Sequence, residues 1–225
     1  MELTPRLRTV AEQVPQGAVL ADVGTDHAYL PTWLLLEGRI PRAVAADLRA
    51  GPLDRARETA ARYGVSGRIS FRLCDGLSAI APEEADAIAI AGMGGETIAT
   101  ILEAAPWTRE EDKLLLLQPM TAFAELRGWL SSHGYRIENE IISREGKRLY
   151  TCLRVRTGAM EPLSPAELWA GRQSADPLRR DYLEMMEGKL DRILRGHLAA
   201  EVRDEAEIAA AEQILAGIRQ MKGEL

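Results

Sequence analysis

Up to about residue 157, short apolar runs alternate with amphipathic stretches. Leu3, Leu7, Val10 and Val14 recur at three- and four-residue spacing, which predicts a helix. Thr4 suits its N-cap, Pro5 suits its first position, and Pro15-Gln16-Gly17 stops it. Val19 to Val23 reads as a buried strand and Gly24 to His27 as a turn, with a helix carrying the chain to about Glu37. The alternation repeats. Arg42 to Asp47 predicts a second strand, residues 52–63 a helix, and Ile69 to Leu73 a third strand ending at Cys74-Asp75-Gly76. Asp86 to Ala91 predicts a fourth, ending at Gly92-Met93-Gly94-Gly95, then a helix to about Ala104. Lys113 to Gln118 predicts a fifth, stopped by Pro119, then a helix over 121–132. Runs at 135–143 and 148–156 flank Gly146-Lys147 and read as an antiparallel pair. Strands alternating with helices mean an α/β fold, a mostly parallel sheet covered on both faces. Ligands of such sheets bind beyond the carboxyl ends of the strands, where the strand order reverses.

Past Thr157-Gly158 the pattern turns almost purely helical, which divides the chain into a domain at 1–157 and a helical one at 158–225. Ser164-Pro165 and Asp176-Pro177 each read as a cap followed by a first-turn proline. Leu183, Met186, Leu190, Ile193 and His197 fit one coiled-coil seam, and Ile208, Ala211, Leu215 and Ile218 fit another. A break near Arg203-Asp204 makes two antiparallel helices. They either pack on themselves or form an arm that grips a large substrate.

Composition narrows the class. The longest stretch without charge, Leu114 to Ala124, has 11 residues, and a spanning helix needs about 20. The N-terminus shows no secretory pattern, so the expected location is the cytoplasm, with no membrane partner. Cys74 and Cys152 lack CxxC spacing and read as two buried thiols; no metal-ligand set is spaced for zinc. The net charge of −6 argues at first sight against a polyanionic partner. Position changes that inference. Residues 158–225 carry −4 of the −6, while residues 1–80 hold ten arginines against nine acids. Arg6, Arg8, Arg39, Arg42, Arg49, Arg55 and Arg57 are expected to form a phosphate-binding face, although 24 arginines against four lysines also fits a codon bias.

The candidate chemistry lies at the strand ends. Asp22-Val23-Gly24-Thr25-Asp26-His27 has one glycine where a dinucleotide fingerprint has three. Its acids would repel a pyrophosphate and attract a cationic sulfonium and ammonium. Asp47, followed by Leu48, ends the second strand where an acid can bond both ribose hydroxyls. Asp75-Gly76 is placed to meet an adenine amino group, or is simply a turn. Three acids closing three consecutive strands point to an adenosyl ligand. Ala91-Gly92-Met93-Gly94-Gly95 brings bare backbone to the sheet edge, suited to a base edge or to a tight turn. Gln118-Pro119 sits beside it, and a glutamine can both donate to and accept from a planar base. His27 reads as a ligand contact or a structural hydrogen-bonder, His133 as a helix cap and His197 as packing.

These stretches resemble the bacterial tRNA adenine-22 N1-methyltransferases, the TrmK family. The likeness runs over about residues 3–156. It rests on Leu20-Ala21-Asp22-Val23-Gly24-Thr25-Asp26-His27-Ala28-Tyr29-Leu30-Pro31, Ala46-Asp47, Asp75-Gly76-Leu77, Ile90-Ala91-Gly92-Met93-Gly94-Gly95 and Leu117-Gln118-Pro119, with Arg127-Gly128-Trp129-Leu130 and Lys147-Arg148-Leu149-Tyr150 continuing it. The resemblance implies a Rossmann-like class I methyltransferase domain with a seven-stranded sheet and a C-terminal coiled-coil domain. It implies S-adenosylmethionine as cofactor and tRNA as substrate. Cofactor contacts are expected at Asp22, Gly24, Asp26, His27, Asp47, Leu48, Asp75, Gly76, Ala91 and Gly92. Asp26, Gly92, Met93, Gly94 and Gln118 are expected at the reacting base, and Tyr29, Arg6, Arg8, Gly95 and Pro119 at the substrate. A monomer or weak homodimer is expected. Three other readings stay open: the same fold acting on a protein or small molecule, a nicotinamide oxidoreductase, and an RNA-binding protein without catalysis.

Overall fold

The computed structural model describes residues 1–200 and 202–225. One sheet holds β1 Leu20–Val23, β2 Ala43–Asp47, β3 Ile69–Leu73, β4 Ala87–Met93, β5 Leu114–Pro119, β6 Tyr135–Glu145 and β7 Arg148–Thr157. The order is β3-β2-β1-β4-β5-β7-β6. β1 to β5 are parallel, and β7 runs antiparallel between β5 and β6. The helices are α1 Pro5–Gln13, α2 Tyr29–Leu36, α3 Ala50–Arg62, α4 Gly95–Glu103, α5 Phe123–Ser132, α6 Pro165–Ala170, α7 Arg179–Ala199 and α8 Glu205–Gly223. No helix among the described residues is long and apolar enough to cross a membrane.

β1, β2 and β5 are buried along their whole length because helices cover both faces. Successive side chains go to opposite faces. Ala21, Val23, Ile88, Ile90, Leu115 and Leu117 pack with Ile98, Leu102, Leu126 and Leu130 of α4 and α5. Leu20, Ala45, Ala87, Ala89, Leu114 and Leu116 pack with Val10 of α1, Val14 just past it, and Leu30 and Leu34 of α2. A third core joins α6, α7 and α8 to Ile142 of β6.

Several local expectations change. β4 runs two residues further than the apolar pattern, to Met93, because a bulge between Ala91 and Met93 absorbs Gly92. α5 starts at Phe123, since Ala122 takes a left-handed conformation before it. α7 starts only at Arg179. Asp176 instead caps the preceding turn, accepting from the Leu178 amide at 2.8 Å, and its other oxygen accepts from the Ile142 amide at 2.9 Å. The first coiled-coil seam keeps Leu183, Met186 and Leu190, but Ile193 is exposed and Leu194 joins the core in its place. Cys152 is buried, whereas Cys74 is half-buried beside the Gly76 carbonyl.

Candidate active site at the carboxyl edge of the sheet

The strand order reverses between β1 and β4, which opens a crevice at their carboxyl ends. After β1 the chain turns through Gly24 at φ +75°, and a Cβ there would run into the methyl of Met93 across the crevice. The Gly24 and Thr25 amides donate to the Ala46 carbonyl at 2.8 and 3.0 Å, so the turn leans on β2. Asp22 and Asp47 are each only 8 % exposed. Burial pushes the Asp22 carboxyl up to about 6, against a pull from Thr25 and with added repulsion from Asp47. Asp22 has no cationic partner among the described residues. Asp47 accepts from the Arg49 amide at 2.8 Å. Asp75 is exposed just past β3, and Gly76 turns beside it at φ +54°. Leu48 and Leu73 stand 66 % and 60 % exposed next to these two acids. A buried acid without a cation, beside a glycine turn and bare apolar surface, suits a cationic ligand with a flat apolar part.

Asp26 sits on the outer lip. It pairs with Arg55 of α3, which holds its carboxyl below the usual range, and His27 Nε2 lies 3.6 Å away. His27 stacks flat on Tyr29, ring centroids 4.9 Å apart, and Tyr29 stays 43 % exposed. The second lip comes from β4 and β5. Gly92 is exposed at φ +84° and keeps its backbone open. Ala91 and Met93 are half-buried on either side of it. Gly94 and Gly95 take a different task. A Cβ on Gly95 would overlap the Ala122 carbonyl, and one on Gly94 would crowd the Thr121 hydroxyl. These glycines let α4 start against the loop after β5, and Gly95 is buried in that packing.

Gln118 is fully buried, and both ends of its amide are engaged. Its oxygen accepts from Arg6 Nη1 at 2.6 Å and its nitrogen donates to the Arg6 carbonyl at 3.3 Å. Pro119 is buried at the end of β5. Arg6 thus enters the site from α1, over the Tyr150 ring and beside Gly92. The rest of the expected arginine face does not assemble. Arg8 pairs with Glu12 and lies over Trp33. Arg39 donates to the Val14 carbonyl, and Arg42 precedes β2, so both belong to the amino edge of the sheet. Arg57 pairs with Asp54, Arg55 with Asp26, and Arg49 approaches Asp47. Sequence reasoning also missed Thr25, Tyr150 and the left-handed Ala28 and Ala122. Thr25, Ala28 and Tyr150 lie in the motif stretches quoted above, but alanine gives no sign of a left-handed turn.

A family profile described as a methyltransferase domain matches residues 3–153. The tRNA (adenine(22)-N(1))-methyltransferase of Bacillus subtilis strain 168 is 41 % identical over 158 residues. That alignment takes in 70 % of this chain and 66 % of that protein, just under two thirds of its length. The chain belongs to the tRNA (adenine(22)-N1)-methyltransferase family. The crystal structure of the Bacillus subtilis member, TrmK, superposes with a TM-score of 0.87 at 31 % identity, over 98 % of this chain and 99 % of that one. A Streptococcus pneumoniae protein described as a candidate tRNA (m1A22) methyltransferase gives 0.87 at 32 % identity, over 98 % and 100 %. The same protein in complex with S-adenosyl-L-methionine gives 0.85. The profile match takes in every strand-end residue described above, while α6, α7 and α8 lie beyond it but within the structural alignments of the family.

Proposed function

We propose that this chain uses S-adenosylmethionine to methylate N1 of adenine 22 in the D-arm region of tRNA. The observation that carries the reading is the buried, cation-free Asp22 beside Asp47 and Gly24 at the strand reversal. The choice of adenine N1 is supported by the relatives named above. In this reading Asp22, Gly24 and His27 hold the amino-acid part of the cofactor. Asp47 and Leu48 take the ribose, Asp75 and Gly76 the adenine, and Ala91 and Gly92 line the slot. When bound, the cofactor supplies an electrophilic methyl on a cationic sulfur, which the N1 lone pair of the target adenine takes up.

That lone pair needs no prior deprotonation, so the protein has positioning and water exclusion to do rather than base catalysis. N1 lies on the Watson–Crick edge, so the adenine must leave any pairing before it enters. The open backbone of Gly92 and the flexible Met93 form one wall for it, and the exposed Tyr29, braced by His27, is the ring beside the entrance. Arg6 is the cation available to the target's phosphate, with Gln118 holding it in place. Asp26, kept ionised by Arg55, faces the positive charge that methylation leaves on the base. The chemistry belongs to residues 1–157, with 158–225 as a helical domain. Acting on tRNA puts the chain in the cytoplasm, as a monomer or weak homodimer.

The test is nucleoside mass spectrometry of tRNA transcripts incubated with protein and cofactor. N1-methyladenosine should appear, and should vanish when adenine 22 is replaced by guanine. Its absence from every bacterial tRNA tried would overturn the reading.

A further inference from the structure

A groove of about 490 Å³ separates the loop after β5 from α7. One wall is Met120 to Glu125, with Phe123 prominent; the other is Met186, Lys189, Arg192 and Ile193, and Trp169 contributes from α6. The groove begins next to the site. Its first residue, Met120, follows Pro119 directly and donates from its amide to the Met93 carbonyl at 2.8 Å, and Thr121 accepts from the Gly95 amide at 2.9 Å. Its charge is also informative. Lys189 sits 5.2 Å from the Phe123 ring centroid. Neither Lys189 nor Arg192 has an acidic partner within salt-bridge distance among the described residues, although most arginines near the site are paired. Burial, with Arg192 adding to it, pushes the Lys189 ammonium down, so an anion placed there would be felt strongly. Among the described residues Glu125 is the one acid on the walls, and it is exposed.

We propose that this groove binds an unpaired stretch of RNA flanking the target adenine, with a base against Phe123 and Trp169 and its phosphates on Lys189 and Arg192. Aromatic side chains beside unpaired cations are what single-stranded nucleic acid recognition uses, because every base offers a flat face and every linkage a charge. A peptide partner would have little use for two cations that are unpaired among the described residues, one of them over an aromatic ring. The groove also explains why Ile193 leaves the coiled-coil seam: it forms part of this wall.

The inference rests on the RNA-methylating reading, and the experiment separates the two. Lys189→Ala/Arg192→Ala changes side chains on the accessible wall of α7, and Phe123→Leu keeps an apolar side chain while removing the ring. tRNA affinity is measured over a range of salt concentrations and cofactor affinity by calorimetry. The double variant should bind tRNA about tenfold more weakly, with the log–log salt slope reduced by about two, one for each lost phosphate contact. Phe123→Leu should lose about tenfold with the slope unchanged. Cofactor affinity should stay the same in both. Unchanged tRNA affinity in the variants, with normal tRNA methylation by the parent protein, would overturn the groove and leave the function standing. A slope change without an effect of Phe123→Leu would overturn the stacking. A parent protein that does not methylate tRNA would remove the reading beneath both.

Discussion

Asp22 and Arg127 are both buried charges, and the fold treats them in opposite ways. Arg127 of α5 is wholly buried, and four hydrogen bonds satisfy it. It makes a two-pronged pair with Glu140 of β6 at 3.0 and 2.6 Å, and donates to the Leu168 and Trp169 carbonyls at the end of α6. Burial opposes its charge, but Glu140 outweighs that and holds the guanidinium above its usual range. Asp22 has no such partner among the described residues, and burial raises its carboxyl to about 6. A completed charge network is structure: it ties the helical tail to the sheet. An incomplete one costs stability in the free protein and is retained for something that completes it. Gly171 serves the completed network too, because a Cβ there would strike the Glu140 carboxylate.

The largest expected effect breaks the completed side. Arg127→Met should lower stability by about 3–5 kcal/mol in urea titrations, because it leaves the largely buried Glu140 without its partner. Adding Glu140→Leu should recover most of the loss. A single-variant loss below about 1 kcal/mol would show that Arg127 is not the clamp it looks like.

Next comes the incomplete side. Between pH 3.8 and about 6 the folded Asp22 holds a proton that the unfolded chain has released, so stability falls as pH rises through that window and is flat above it. Asp22→Asn should therefore stabilise the free protein by up to about 3 kcal/mol above pH 6, with the gain gone below pH 4. The same variant should lose cofactor binding. A less stable variant at pH 8 would contradict an uncompensated acid.

A smaller effect sharpens the same point. If the bound cofactor needs the ionised carboxylate, calorimetry should show affinity falling by up to about tenfold per pH unit below pH 6, with a plateau above it. A flat profile from pH 5 to 8 would mean Asp22 is not the group that meets the cation. Smallest of all, Asp26→Asn should leave the urea midpoint unchanged, since its pair with Arg55 is exposed and screened, yet it should slow methylation at saturating tRNA.

Much of this was legible along the chain. The central parallel strands β1, β2, β4 and β5 announce themselves because burial on both faces demands continuous apolar runs, and Thr4 and Ser164 mark helix starts through their own side chains. Asp22, Asp47 and Asp75 were legible because a strand end is a local feature and its chemistry is carried by one residue. The arginine face was misread for the opposite reason. Arg39 and Arg42 are near Arg49 in the chain but at the other edge of the sheet, since each βα unit crosses its full length. The packing task of Gly94 and Gly95 is not legible along the chain, because it is set by Thr121 and Ala122, more than twenty residues away. Arg127 gave no sign of its role, because its partner lies on another element.

The amino-acid sequence alone thus determined the class of fold, the order of its elements and the row of acids along one edge, because each follows from periodicity or from a residue's own backbone and side chain. Only the tertiary structure decided which charges are answered. That depends on distances between elements remote in the chain: it pairs Arg127 with Glu140 and Asp26 with Arg55, draws Arg6 onto Gln118, and leaves Asp22 in the crevice and Lys189 and Arg192 in the neighbouring groove without an ionic partner among the described residues.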